Sequence, residues 1–519
     1  MKVLLLGIDA LDCTLVEKFA DQLPNLTALR RSGAYLKLNT TFPPDSDTAW
    51  ATIATGMNPA RHGIVRFVDP LEKSYQILNV GSKNEVLRGK TFWELVGNAG
   101  RDVYAIFPHL GYPIWDMPCT VVVRGSSVEA VAAHPPHILD RYPHPDVLMG
   151  VRGLPDRSVH AMQAYAAQLM RLAQADADFA LRLMAENHWD LFFVYWSTLD
   201  ATGHFFWNYY DEEDPGFVEG HPLQNVIPDT YKLYDRIVGR FMEAVEAMGD
   251  DVTVIVMSDH GHGGRPFKLV SVNEILRRGG FLSARDMKSN PHLNLFEKGK
   301  RLAVHMVSRY GLGRLAGKVM RRFPGVVQGF TRPSSVNWDD TVAYASDMSG
   351  IKAYTYGGII VNREALGGRD YEAVRDEIIE LMKRECVLPD GTPLLTFIAR
   401  REDVYTGPYI TKYPDIVLEF KYGYGVGWAI HAPLITRAAS YNLVPGSHRG
   451  ETGTFIMRSP RKVMADAIDV RDVVPTLLDL MGLTGTHTPE EYEGRSILAV
   501  PPFQPKVSMG SDQGSGIRD

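Results

Sequence analysis

Short runs of unbroken apolar residues recur along the chain: Val3 to Leu6, Val103 to Phe107, Leu191 to Tyr195 and Val252 to Met257. Apolarity without alternation predicts strands covered on both faces, because a strand with one wet face alternates. Between these runs the period lengthens. From Asp229, read as an N-cap, the residues Leu233, Ile237, Phe241, Ala244 and Met248 recur every three or four positions, and Gly249 supplies a stop. Val159 to Asn187 has the same helical character, sheet-like runs return at Gly357 to Val361 and Ile416 to Phe420, and a last helix is predicted over Val473 to Met481, ended by Gly482. Strands alternating with helices predict an α/β fold with a mostly parallel central sheet and helices on both faces.

The pattern breaks after Leu282. Between Lys298 and Trp338 stand nine Lys or Arg and no Asp or Glu, with Leu302, Met306, Tyr310, Leu315 and Val319 at roughly helical spacing. Residues 283–338 read as an inserted basic helical cap between the two parts of a core, 1–282 and 339–499. Its charge either solvates helix faces or attracts an anionic substrate or an anionic lipid surface in peripheral contact. From residue 500 onward no apolar period remains, which predicts a loose tail over 500–519.

Composition narrows the class. The 519 residues, 45% hydrophobic and 22% charged, suit a globular enzyme with an inserted subdomain. A net charge of -6 argues against nucleic acid as a partner. Cys13, Cys119 and Cys386 are few and widely spaced, so neither a disulfide framework nor a thiolate metal cluster is expected, which suits a cytoplasmic protein. The opening apolar run is shorter than a signal-peptide core, and no stretch reaches the roughly 20 apolar residues of a membrane span. Nothing in the pattern bears on oligomeric state.

Four segments place Asp, Ser or His where a strand gives way to a loop, the position at which doubly wound sheets gather their ligands. Asp9 follows the first strand in LLLGIDALD, a place where a turn or cap residue is also common. Ser46 ends a Pro-rich loop and leads through Thr48, Ala49 and Trp50 into a helix reaching Thr55, so its hydroxyl is either a cap or a nucleophile where a helix start favours phosphate. Asp200 and His204, four apart in STLDATGHFFW, fall on one face of a helical turn, as a shared cation requires. Asp259 and His260 close the apolar strand in VIVMSDHGHGG, where packing alone does not explain so many ionisable groups.

The chain resembles the type I phosphodiesterase and nucleotide pyrophosphatase family of the alkaline phosphatase superfamily. The resemblance rests on GID at residues 7–9, SDTAWATIATGMNPARHGI, LDATGH, SDHGHG, GSHRGETGTFIMRSP at 446–460, and DVRDVVPTLLDLMGL with EGRSI, in that order. It implies an alkaline phosphatase-like three-layer sandwich. It also implies that His448 completes a metal site, a role that spacing alone does not give this histidine. Carried over by motif, Asp9, Asp259, His260 and the Ser46 oxygen hold one divalent ion and Asp200, His204 and His448 a second. Zinc suits these mixed carboxylate and imidazole sets, and manganese is acceptable. Ser46 is placed as the nucleophile by counting nine residues back from Thr55; Thr48 is the lesser candidate, and Asp47 adds a carboxylate beside a site that must accept an anion. His262, Arg265 and Lys268 follow the last metal motif and are candidates for contact with the phosphate.

The expected activity is hydrolysis of a small phosphate ester, a diester by the resemblance, through a phosphoserine. The alternatives are a phosphomonoesterase or phosphomutase of the same superfamily, and a non-catalytic anion-binding protein that keeps the fold.

Overall fold

In the computed structural model the first apolar run is the middle of a strand, Lys2–Ile8, buried from Val3 onward. The structure describes residues 1–64, 85–124, 131–144, 156–249, 251–285, 336–346, 354–438, 444–484 and 492–499, with isolated positions between them. The expected insertion lies mostly outside the described residues, and the expected tail wholly so. At the borders of the insertion, Ala284 and Val336 form an isolated antiparallel bridge.

The strand Lys2–Ile8 sits near the middle of a nine-stranded sheet. In spatial order its strands are Ala467–Asp469, Ala34–Asn39, Gly453–Arg458, Val252–Met257, Lys2–Ile8, Leu191–Trp196, Val103–Ile106, Thr120–Arg124 and Val131–His134. Pairing is parallel except on either side of Gly453–Arg458 and at the outermost strand Val131–His134. The sheet is thus mostly parallel, as the unbroken apolar runs predict.

Residue parity along each strand decides which layer a side chain joins. Leu4, Leu6, Ile8, Phe192, Val194, Trp196, Val254 and Val256 share one core with helices Val159–Glu186 and Val226–Met248. Val3, Leu5, Leu191, Phe193, Tyr195, Ile255 and Met257 share another with helices Ser46–Thr55, Phe92–Asn98 and Val473–Leu480. Three layers result. Each buried Leu- or Phe-sized side chain contributes about 1.5–3 kcal/mol, so both helical layers are held on by hydrophobic burial.

The helix read from Asp229 begins earlier. It runs Val226–Met248 behind Asn225, with Asp229 in its first turn, and ends at left-handed Gly249 as expected. Pro228, tolerated only in a first turn, was the missed sign of that start.

The later sheet-like runs belong to a different body. Ala343–Ser346, Tyr356–Val361, Ile416–Phe420 and Leu395–Arg400 form a four-stranded antiparallel sheet, in that order. Helix Tyr371–Glu385 covers it, with Ile359, Ile378, Leu381, Met382, Ile416 and Leu418 in a core of their own.

Candidate metal centre and nucleophile

Strand direction explains why distant motifs meet. Lys2–Ile8, Leu191–Trp196 and Val252–Met257 run parallel, so Asp9, Asp200 and Asp259 all emerge at one edge. Gly453–Arg458 runs the other way, so this edge is where it begins, and His448 arrives just before it. Ala34–Asn39 is antiparallel to that strand and so ends at the same edge, where the chain continues to Ser46. A short antiparallel pair, Gly261–Gly264 with Gly446–Arg449, sets His262 opposite His448.

Two groups of ligand-type atoms result. In Asp9, Asp259 and His260 one ligand atom from each lies within 4.8 Å of the others, and the same holds for Asp200, His204 and His448. Ser46 begins its helix behind Asp45, and its Oγ lies 3.0 Å from His260 Nε2. The rings of His260 and His448 stack with centroids 3.9 Å apart, which joins the two groups. Every residue expected to take part in metal binding or attack therefore stands in one cluster.

The hydrogen bonds fix which ring nitrogen faces inward. His260 Nδ1 donates to the Gly261 carbonyl at 2.8 Å, His204 Nδ1 to Gly446 at 3.1 Å, and His448 Nδ1 to Pro44 at 2.6 Å. With the hydrogen on Nδ1, each Nε2 offers a lone pair, the tautomer a metal ligand needs. His204 Nε2 and His448 Nε2 then stand 2.9 Å apart, lone pair to lone pair, beside Asp200 Oδ1 at 3.4 Å from each. A cation between them relieves that repulsion. Asp9 Oδ1, Asp200 Oδ1 and Asp259 Oδ2 are buried and have no hydrogen-bond partner among the described residues. Buried carboxylate oxygens without donors are costly, and a bound cation satisfies them. The donor set therefore fits divalent metal.

Electrostatics agree with the geometry. Burial raises Asp9 well above the ordinary carboxylate range, and Asp259 and Asp200 add to it. Asp259 is pushed up to about 8 by burial and by Asp200. Burial also opposes ionisation of Asp200, but His204, His262 and His448 outweigh it and hold the carboxyl well below its usual range. His260 is lowered to about 4 by burial and by His448, so its ring is neutral at neutral pH.

The remaining candidates separate. Thr48 is fully buried and donates to the Ile64 carbonyl at 3.1 Å, which leaves Ser46 as the hydroxyl on the cluster. Arg265 is buried and donates to the Val444 carbonyl, and Lys268 stands near the Tyr424 hydroxyl, so both have local partners. His262 is buried with Nδ1 3.5 Å from Asp200 Oδ1, its ring so close to Gly203 that a Cβ there would come within 2.6 Å.

Three supporting residues were not picked out from sequence. Asp12 Oδ2 accepts from His262 N at 3.1 Å and Thr452 Oγ1 at 2.5 Å. Its Oδ1 accepts from Thr14 N and Leu15 N, which caps a short helix. Tyr195 donates to Asp9 Oδ2 at 2.5 Å, and His109 bonds Tyr195 and Asp47. Asp12 was in view in GIDALD; the partnership of His109 has no sequence signal.

Residues 3–322 match the family model described as type I phosphodiesterase / nucleotide pyrophosphatase. The chain belongs to this family. The chain is accordingly a hydrolase acting on phosphoric ester bonds, built on a mostly parallel central sheet between two helical layers. The match takes in Asp9, Ser46, Asp200, His204, Asp259 and His260 and ends before His448. Among solved structures it is similar to murine ectonucleotide pyrophosphatase/phosphodiesterase 5, at 14% identity and a TM-score of 0.47, over 96% of this chain and 100% of that one. The human protein of the same name gives 14% and 0.48 over the same shares. One murine structure is of an inactive form in complex with AMP. Comparison with curated proteins finds no match. No helix among the described residues is long and apolar enough to cross a membrane.

Proposed function

We propose that the chain hydrolyses a small anionic phosphodiester through a phosphoserine on Ser46, with two divalent cations, zinc before manganese. One would be held by Asp9, Asp259, His260 and the Ser46 oxygen, the other by Asp200, His204 and His448. The observation that carries this reading is the facing pair of His204 and His448 Nε2 atoms beside an Asp200 oxygen that has no hydrogen-bond partner among the described residues, with Ser46 Oγ against the neighbouring group. Bound cations would lower the pKa of the serine hydroxyl and neutralise charge on the phosphoryl oxygens.

The chain's own groups do the positioning. As the first residue of a ten-residue helix, Ser46 stands where main-chain N–H groups and the helix dipole favour a phosphate. Its Oγ lies 3.0 Å from His260 Nε2, whose tautomer the Gly261 carbonyl fixes, so that the hydroxyl oxygen and the imidazole lone pair face the same candidate cation site. Attack makes the Ser46–phosphorus bond and breaks the bond to the leaving oxygen, which departs as an alcohol. Water then breaks the Ser46–phosphorus bond and restores the hydroxyl.

The test is a panel of nucleotide diesters, sugar phosphates and phospholipid head groups, assayed with zinc and with manganese. Ser46→Ala is expected to lose at least about a thousandfold in kcat while its metal content, read by atomic emission, stays that of wild type. Wild-type turnover in the variant removes Ser46 from its role. Hydrolysis of monoesters alone, or recovery of the phosphate on a second alcohol, selects the phosphatase or mutase alternative.

A further inference from the structure

Thr48 yields the part of nucleophile to Ser46, yet its hydroxyl is engaged, and by the tail of the same motif. The short helix Pro59–His62 is capped by Asn58, whose Oδ1 accepts from Ala60 N, and it ends at left-handed Gly63. That turn folds Ile64 back against the nucleophile helix Ser46–Thr55, so that its two main-chain groups meet His62 and Thr48. Ile64 N donates to His62 Nδ1 at 3.1 Å. Burial pushes the His62 ring down to about 3, with Lys90 adding to the effect, so the ring is neutral at neutral pH. With Nδ1 accepting, its one hydrogen lies on Nε2. Nε2 then donates to Thr52 Oγ1 at 3.0 Å, Thr52 Oγ1 to the Thr48 carbonyl at 3.0 Å, and Thr48 Oγ1 to the Ile64 carbonyl at 3.1 Å. The bonds thus close into a circuit that leaves Ile64 by its N–H and returns to it at its carbonyl.

A threonine hydroxyl on a helix commonly bonds the carbonyl four residues back and makes no further link. Here the same oxygen also accepts from an imidazole brought by another helix. Thr48, Thr52, His62 and Ile64 are all buried, so a slide or turn of the nucleophile helix would part several of these bonds and leave buried donors and acceptors unpaired. Ser46 stands two residues before Thr48 in the same first turn, so a helix locked at Thr48 fixes the direction in which Ser46 Oγ leaves it. The segment that carries the histidine is itself held, since Glu493 accepts from Asn58 Nδ2 at 3.0 Å and from Arg61 Nε at 3.3 Å. We propose that His62 is a positioning residue for Ser46, an imidazole bonded at both ring nitrogens that locks the first turns of the nucleophile helix to the chain at Ile64.

This inference rests on Ser46 being the nucleophile proposed above, and its first test does not depend on turnover. Long-range proton–nitrogen correlation spectra of the zinc-loaded protein at neutral pH should show His62 with its hydrogen on Nε2 and a bare Nδ1. A hydrogen on Nδ1 breaks the circuit and overturns the proposal. The second test is kinetic. Thr52→Val keeps the shape of the side chain and removes its hydroxyl; kcat for a diester should fall about tenfold, with KM within about twofold and zinc content that of wild type. Thr52→Ser, which restores the hydroxyl, should return kcat to within about threefold of wild type. A kcat unchanged in Thr52→Val overturns the proposal even where Tm falls, because the circuit would then serve stability alone. The third test is the binding of orthovanadate, which takes a serine oxygen as its fifth ligand, to the zinc-loaded proteins, read by vanadium NMR. Binding should weaken about tenfold in Thr52→Val and more in Ser46→Ala. Binding that responds to Ser46→Ala and not to Thr52→Val overturns the role of His62, whereas binding indifferent to Ser46→Ala removes the nucleophile itself and this inference with it.

Discussion

Asp259 holds its proton to about pH 8, whereas an unfolded chain releases it near 3.8. Between those values the folded protein binds a proton that the unfolded one has lost. The stabilisation this gives chelated protein is complete below about pH 4 and disappears as the pH rises through about 8. His260 works in the opposite sense but finishes its change by its ordinary value of 6.5, so the window from about 6.5 to 8 reports the carboxylates. In that window the Tm of chelated protein is expected to fall with rising pH. Zinc should reverse the trend, because a cation needs the carboxylate and expels the proton. Calorimetry in buffers of different ionisation enthalpy should record proton release on zinc loading at pH 7; uptake, or none, contradicts the assignment of Asp259. Much of this residue-level chemistry was legible beforehand. Asp9, Asp259 and His260 stood at strand ends, and Asp200 with His204 at helical spacing. His448 was reached through resemblance alone, since the strand pairing that sets it opposite His262 leaves no periodic trace.

At the level of elements, the site is held by a loop that ends one strand and borrows from three others. Asp12 is fully buried and accepts from the main chain of its own helix start, from the His262 N–H on another strand and from Thr452. Asp12→Ala leaves these donors unpaired, at about 1–3 kcal/mol for each one that stays buried. The expected result is a Tm lowered by several degrees together with weaker zinc binding, since His262 and Asp259 move with the loop; a Tm unchanged from wild type would rule out this tie. Gly261 belongs to the same knot, because a Cβ there would collide with the Thr452 hydroxyl and the Asp12 carboxylate. The helix after Leu223 shows the limit of local reading. Asp229 looked like a cap because it precedes a clean apolar stripe, yet Asn225 precedes the first turn and Asp229 lies within it. Boundaries depend on which N–H groups find acceptors, and a stripe of core residues does not record that.

For the molecule as a whole, the second body grips the segment that carries Ser46. Tyr405 donates to the Phe42 carbonyl at 2.5 Å, Tyr409 N to Ala60 at 2.9 Å, and Thr406 N to Asn58 Oδ1 at 3.3 Å. From the other side Glu493 accepts from Asn58 Nδ2 and Arg61 Nε. Residues 42–61 are thus clamped at both ends of the nucleophile helix. Tyr405→Phe removes one bond to a part-buried carbonyl, worth about 1 kcal/mol. We expect kcat to fall severalfold with metal stoichiometry unchanged, and an unaltered kcat would show that this clamp does not set the position of Ser46. This arrangement was not legible in the sequence, where Gly357 to Val361 and Ile416 to Phe420 read as further strands of one core. They are strands, but antiparallel ones around a separate interior, and apolar runs of that length do not say which sheet they join.

The three imidazoles are steered by the carbonyls of Pro44, Gly261 and Gly446. A carbonyl belongs to every amino acid, so no exchange of side chain deletes these acceptors. Ring orientation is therefore inherited from the path of the backbone, and drift in the surrounding sequence can alter the pocket's lining while the coordination directions persist. Only an insertion, a deletion or a shift of chain path beside those three residues would turn the rings away.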